Sequence, residues 1–148
     1  MDIDQLRVRV QRMLTEVAGE VTIDKDGDFK VNYNSANVFV ECWAQERKDE
    51  EDRFGVLFTC PLVKDVPASN ELFKWVATQT DYRFGSVTVN LDKDERKATL
   101  LLRHTLLGND IDASEVENAL FSVLFTGDEL ETEIQKRFGG TMFGTDRE

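Results

Sequence analysis

The chain has 148 residues, 29 of them acidic and 18 basic, so its formal net charge is −11. This is the length of one ordinary domain, which buries enough surface to fold without a metal or disulfide staple. The charge predicts repulsion from phosphate backbones and anionic lipid, which argues against nucleic acid and membrane partners. We interpret the acidic surface as one that keeps the protein well solvated; attraction of basic protein segments is the alternative. The acidic start of the chain is unlike a secretory signal, and no apolar run approaches the ~20 residues of a membrane span, so we expect a cytoplasmic protein.

The first predicted element is an amphipathic helix over residues 2–18. Its apolar residues recur at steps of three and four and therefore share one side of the helix. Gly19 follows the last of them, where a left-handed backbone commonly ends a helix. Val8 lies off this apolar side; it either belongs to a second contact surface or has no structural role.

A β-hairpin is predicted next, from segments 20–23 and 29–33. Between them lies Asp-Lys-Asp-Gly-Asp at residues 24–28, and Asp-Gly is a strong signal for a hairpin turn. Three alternate aspartates also suggest a calcium loop. That loop needs its glycine sixth and a carboxylate twelfth, whereas here the glycine is fourth and the twelfth residue is Ser35. We interpret the segment as a turn.

Four further strands and a short helix are predicted in the middle of the chain. The strands cover residues 38–44, 53–60, 86–91 and 97–106, and turns or polar loops cover residues 34–37, 45–52, 81–85 and 92–96. Pro67 and Ser69 introduce a helix over about residues 68–80, and Pro61 is expected to end regular pairing of its strand. Read in steps of two, the strands share one apolar side. Its members are Val38, Val40, Cys42, Phe54, Val56, Phe58, Cys60, Val87, Val89, Leu91, Ala98, Leu100 and Leu102.

The last element is a long helix that starts at the capping-box pattern Asp112 to Glu115. Its apolar side continues to Phe138 and ends at a Gly-Gly pair. Gly127, in its middle, indicates a bend or a close contact with another element.

No linker-like composition or internal repeat divides the chain. We therefore predict one α+β domain over residues 1–140 and a flexible tail over residues 141–148. The domain is expected to be an antiparallel β-sheet with the N- and C-terminal helices on one face and a short middle helix.

The order of elements and several short motifs resemble the type III secretion chaperone-like fold, in particular its YbjN-like family in bacteria. The motifs are Phe-Thr-Cys-Pro-Leu at 58–62, Val-Pro-Ala-Ser-Asn-Glu-Leu at 66–72, Phe-Gly-Ser-Val at 84–87, Leu-Leu-Gly at 106–108 and Arg-Phe-Gly-Gly at 137–140. They are packing and turn motifs, and none is catalytic. The resemblance implies a non-enzymatic protein- or peptide-binding domain, often dimeric among the secretion chaperones.

Groups that could support catalysis or bind a metal are few. The single histidine, His104, is in phase with the core residues of its strand, and we interpret it as structural. Cys60 follows the same pattern, and a thiol on an apolar side is usually inert. With Cys42 it is expected to be a reduced core cysteine. The histidine and cysteine spacing fits no zinc site, so no catalytic residue, metal or cofactor is predicted.

A second, patchier apolar side of the strands is the main functional lead. Phe39, Trp43, Leu57 and Leu101 alternate out of phase with the core set, where a solvated face would be polar. A dimer partner, a peptide client, or the middle helix folding back with Phe73, Trp75 and Val76 would cover them.

We predict that this side holds an extended or apolar segment of another protein, in a groove or along a strand edge. The candidate peptide-binding residues are Phe39, Trp43, Leu57, Leu101 and Trp75. Aromatic anchors such as Trp43 would supply most of the affinity. The alternatives are a self-associating structural or regulatory protein without a client, and a small-molecule-binding or enzymatic domain.

Overall fold

A computed structural model describes residues 1–33, 36–79 and 85–143 of the chain. Its elements are α1 (Ile3–Ala18), β1 (Thr22–Ile23), β2 (Phe29–Tyr33), β3 (Ala36–Gln45), β4 (Arg53–Pro67), α2 (Asn70–Ala77), β5 (Ser86–Leu91), β6 (Lys97–Leu107), α3 (Ala113–Phe138) and β7 (Thr141–Met142). Within these residues one antiparallel sheet has the order β1-β2-β3-β4-β6-β5, and β7 pairs with β4. The predicted α+β architecture is confirmed. The turns predicted around residues 34–35 and 81–84, and the tail residues 144–148, lie outside the described part of the chain.

Side-chain caps fix where the helices begin. At α3 the Asp112 carboxylate accepts the N–H of Glu115 at 2.8 Å, and the Glu115 carboxylate accepts the N–H of Asp112 at 3.0 Å, so the predicted capping box is confirmed. Asp2 and Gln5 form the same reciprocal pair at α1. The Ser69 hydroxyl accepts the N–H of Leu72 at the start of α2. These bonds satisfy backbone donors that the first turn of a helix leaves unpaired.

The core lies between the helices and one face of the sheet, here called the inner face. Leu6, Val10 and Leu14 of α1 are fully buried against it, as are apolar side chains along α3. Gly127 brings α3 close to β4, because a Cβ at this position would lie 2.6 Å from the Sγ of Cys60. The sequence left open whether Gly127 marks a bend or a close contact. The structure shows the close contact, and α3 continues through Gly127 without interruption.

Both cysteines are buried, and no disulfide joins them. Burial raises the pKa of the Cys42 thiol to about 12, which keeps it protonated and unreactive at neutral pH.

The β1–β2 turn is confirmed by its hydrogen bonds. One carboxylate oxygen of Asp24 accepts the N–H groups of Asp26 at 2.8 Å and Asp28 at 3.0 Å. Gly27 has φ +85°, a conformation that favours glycine. The carboxylate that suggested a metal ligand thus caps the turn. Burial, with the neighbouring Asp24 charge, raises the pKa of Asp28.

Pro61 ends the regular register of its strand, as predicted, but it does not end the strand or its pairing. Pro61 pairs with Leu101, and β4 continues to Pro67 after two register shifts. A proline is tolerated here because β3 pairs with β4 only as far as Thr59. Position 61 therefore needs no backbone N–H to donate a hydrogen bond to β3.

The space that β3 leaves beside β4 is filled by β7. Thr141 and Met142, which the sequence places in the tail, pair with Lys64 and Val63. Gly140 permits this approach, since its φ is +89° and a Cβ there would lie 2.7 Å from the Lys64 carbonyl oxygen. The sequence gives no sign of β7 because two residues are too short to show alternation.

Candidate functional site

The face of the sheet opposite the helices, here called the outer face, is the candidate site. α1 and α3 cover the inner face. The short helix α2 lies in the same layer, because Leu72 is buried in the core and the Trp75 ring packs edge-on against Phe138 of α3 at 5.6 Å between centroids. The alternative in which the middle helix folds back over the outer face is therefore wrong.

Strand register brings four of the five predicted residues together on this face. Phe39 lies on β3, Leu57 on β4 and Leu101 on β6, which are adjacent strands. Their partners across the ladders are Thr59, Glu41 and Pro61 respectively, so polar and apolar side chains alternate over the surface. Each of the three apolar side chains is half-buried and reachable from solvent.

The fourth residue, Trp43, is held in place by Gly55. The two are opposite one another on β3 and β4, and the indole ring lies over the glycine so closely that a Cβ at position 55 would collide with it. Because Gly55 has no side chain, the ring rests flat on the strand. Trp43 is thus pre-positioned on the outer face.

Leu107 belongs to the same surface and was missed by the sequence reasoning. It lies opposite Gly55 at the end of β6 and is 70% exposed. The signal was present, since Leu107 continues the period-two pattern of Leu101, but the strand was expected to end one residue earlier. Beside it is a depression of about 370 Å³ lined by Arg47, Arg53 and Asp110, among others.

Trp75 is not brought together with the other four residues. Its indole is almost fully buried between α2 and the end of α3, where the Arg137 guanidinium lies 6.0 Å from the ring centroid. This contact is on the helix side of the molecule and forms one wall of a separate depression of about 450 Å³.

His104 lies on the inner face, opposite the fully buried Phe58. It is half-buried, and this burial lowers the pKa of the imidazole. Over the described ranges, no group of three or more histidine, cysteine, aspartate or glutamate side chains is placed to hold a metal ion. The helices that the structure describes include none with the length and apolar character to cross a membrane.

This fold and surface define an α+β domain in which apolar and polar side chains alternate on a sheet face that none of the described helices covers, a surface that suits protein binding. The family model TY-Chap1, described as T3SS (YopN, CesT) and YbjN peptide-binding chaperone 1, matches residues 4–146. The chain therefore belongs to this family of peptide-binding chaperones. The resemblance to this chaperone family found in the sequence is confirmed, and with it the expected protein- or peptide-binding character.

Solved structures show the same fold. A chain of the Yersinia pestis type III secretion chaperone SycH complex with a stable fragment of YscM2 is similar with a TM-score of 0.51 and 16% identity, covering 84% of this chain and 98% of that one. A chain of the ExsC–ExsE complex is similar with a TM-score of 0.56 and 18% identity, covering 89% and 96%. Comparison with curated protein sequences gave no significant match.

Proposed function

We propose that this domain binds a segment of a client protein on the outer face of its sheet. The observation that carries the proposal is the meeting of Phe39, Trp43, Leu57 and Leu101 on a face that the helices leave uncovered. Large apolar side chains that share one uncovered sheet face, here with polar residues between them, favour an interaction site over a purely solvated face. Membership of a peptide-binding chaperone family supports the same conclusion.

The position of Trp43 suits it to be the main anchor. Tryptophan is enriched among the residues that dominate binding energies, since its large ring excludes water over a wide area. Gly55 already holds the ring against the strand, so binding would cost little additional side-chain entropy. Leu107, in the same row, would extend the contact toward the end of β6.

The proposal also covers the setting of the protein. We place it in the cytoplasm, and we assign it neither nucleic acid nor membrane as a partner because its net charge is −11. We assign it no catalytic role, since His104 is directed to the core side of β6 opposite Phe58.

Self-association through the outer face is the second candidate function. The same uncovered residues favour it, and a homodimer would bury them as a client would. Sedimentation of the purified protein at rising concentration separates the two. A strict monomer rules out self-association, whereas a dimer that Leu101→Ser dissociates would replace the client proposal.

Site-directed variants in a pull-down from the source cell, with photo-crosslinking, test the client proposal. Trp43→Asp should abolish recovery of a specific partner, because a carboxylate would be buried in the contact. Val8→Asp is the matched control, since Val8 is 57% exposed on α1 and far from the outer face. A photoreactive residue at position 101 should crosslink that partner and one at position 8 should not. Equal recovery by wild type and Trp43→Asp would refute the proposed site.

A further inference from the structure

The outer face has a charge opposite to that of the whole protein. Its regular part, on β1 to β6 with β4 taken as far as Pro61, carries four basic side chains and one acidic one, Glu41. The basic residues are Lys30, Arg53, Lys97 and Arg103. The net charge of this face is therefore +3, which leaves −14 for the remainder of a chain whose total is −11. The apolar residues of the candidate site thus share a face whose formal charge is positive, on an otherwise acidic molecule.

Two of these basic residues bracket the centre of the site in a single row across the strands. Lys30 is opposite Phe39, Phe39 is opposite Thr59, and Thr59 is opposite Arg103. The row crosses three strand spacings, so the Cα atoms of Lys30 and Arg103 are about 14 Å apart. The Lys30 ammonium lies 5.8 Å from the centroid of the Phe39 ring, and Arg103 is exposed.

We propose that the client segment is apolar and acidic, with two carboxylates that flank an apolar side chain; this inference rests on the proposed function. In an extended peptide, residues i, i+2 and i+4 point to the same side, and i and i+4 are about 13–14 Å apart. Carboxylates at i and i+4 would therefore reach Lys30 and Arg103 while residue i+2 packs over Phe39 and Thr59. The net charge of the chain alone suggests basic partners, and this row reverses that expectation for the outer face.

Charge also decides between the possible occupants of this face. Two copies packed outer face to outer face would each bring a net charge of +3 into one contact, and repulsion between like charges weakens such a dimer. Anionic lipid or nucleic acid would meet the same basic residues, but the charge of −14 on the remainder of the chain repels a large anionic surface. A short acidic segment contacts the basic row without approaching the rest of the molecule.

Isothermal titration with three synthetic peptides tests the inference. The first is Leu-Thr-Glu-Thr-Phe-Thr-Glu-Thr-Leu with blocked ends, and the other two carry glutamine or lysine in place of both glutamates. We expect the glutamate peptide to bind about three- to tenfold tighter than the glutamine peptide and the lysine peptide to bind weakest. The preference should shrink as NaCl is raised from about 50 to 300 mM, because exposed charges are screened.

Variants of the protein locate the effect. Arg103→Gln should remove much of the preference for glutamate, whereas Arg12→Gln, which deletes the same charge from an exposed site on α1, should leave it unchanged. Arg103→Glu should reverse the order of the glutamate and lysine peptides. Both positions are exposed, so the variants should unfold at the temperature of the wild type, which is measured alongside.

Each other outcome overturns a defined part of the reasoning. If the three peptides bind equally and Leu101→Ser weakens them all, the charge inference fails and the proposed function stands. If none binds at millimolar concentration, both fail. If the three peptides bind equally and Arg103→Gln abolishes self-association, the inference is overturned in favour of a second copy of the chain. If they bind equally and Arg103→Gln abolishes binding to phosphatidylserine vesicles, it is overturned in favour of a membrane.

Discussion

Replacement of Gly55 by alanine should change stability in opposite directions depending on what occupies position 43. In the wild type, the new methyl group would collide with the indole ring of Trp43 and force it off the strand. In a Trp43→Ala background there is no ring to displace. The substitution then only restricts the unfolded chain, which stabilises a protein when the backbone conformation suits alanine.

The expected magnitudes follow from the area of the contact. A tryptophan buries roughly 150–250 Å², and loss of about 50 Å² of it at ~25 cal/mol per Å² costs about 1.2 kcal/mol. The restriction of the unfolded chain returns about 0.4–1 kcal/mol. Gly55→Ala should thus lower the free energy of unfolding by about 0.2–0.8 kcal/mol in the wild type and raise it by about 0.4–1 kcal/mol beside Trp43→Ala.

Urea denaturation of the four proteins of this double-mutant cycle measures the effect. Trp75→Phe in every background leaves Trp43 as the sole tryptophan where it is present, so its emission reports the ring directly. The emission should shift to longer wavelength in Gly55→Ala because the indole becomes more exposed to water. A change of the same sign in both backgrounds, or an unchanged emission maximum, would refute the idea that the ring is seated on Gly55.

Three further predictions concern the fold. Gly127→Ala should lower the free energy of unfolding by about 1–2 kcal/mol. Cys60→Ala should relieve part of this loss, because it removes the sulfur that the new methyl group meets. Additive effects of the two substitutions in urea denaturation would contradict this close contact. Since burial lowers the pKa of His104, the unfolded state binds a proton more readily. The free energy of unfolding should therefore fall as pH drops below about 6.5, and less so in His104→Gln; identical pH profiles would count against this. Asp112→Ala should cost about 1 kcal/mol through loss of the capping box, against less than about 0.5 kcal/mol for Asp110→Ala in thermal unfolding.

The local features of the fold were predictable because local physics sets them. The Asp112 cap, the turn around Asp24 and the alternation of β3 each depend on residues within a few positions of one another. Pro61 shows the limit of this reasoning. Its effect on pairing depends on whether a strand lies on its N–H side, and that is decided by where β3 stops pairing.

The candidate site was predictable only in part for the same reason. Period-two alternation assigns Phe39, Leu57 and Leu101 to one side of their strands, but it does not say which strands are neighbours. It also gave no indication that Trp75 belongs to the helix layer, since the side on which a short helix packs is set by contacts with distant residues such as Phe138.

The sequence by itself determined that this chain forms one α+β domain with an apolar core side and a second apolar side on its strands. Side-chain periodicity and capping residues carry that information along the chain. Only the tertiary structure decided that the second side is left uncovered by the helices and that Trp43 rests on Gly55. It alone placed Lys30 and Arg103 in one row, because ladder register joins residues more than 70 positions apart and no local pattern records such a pairing.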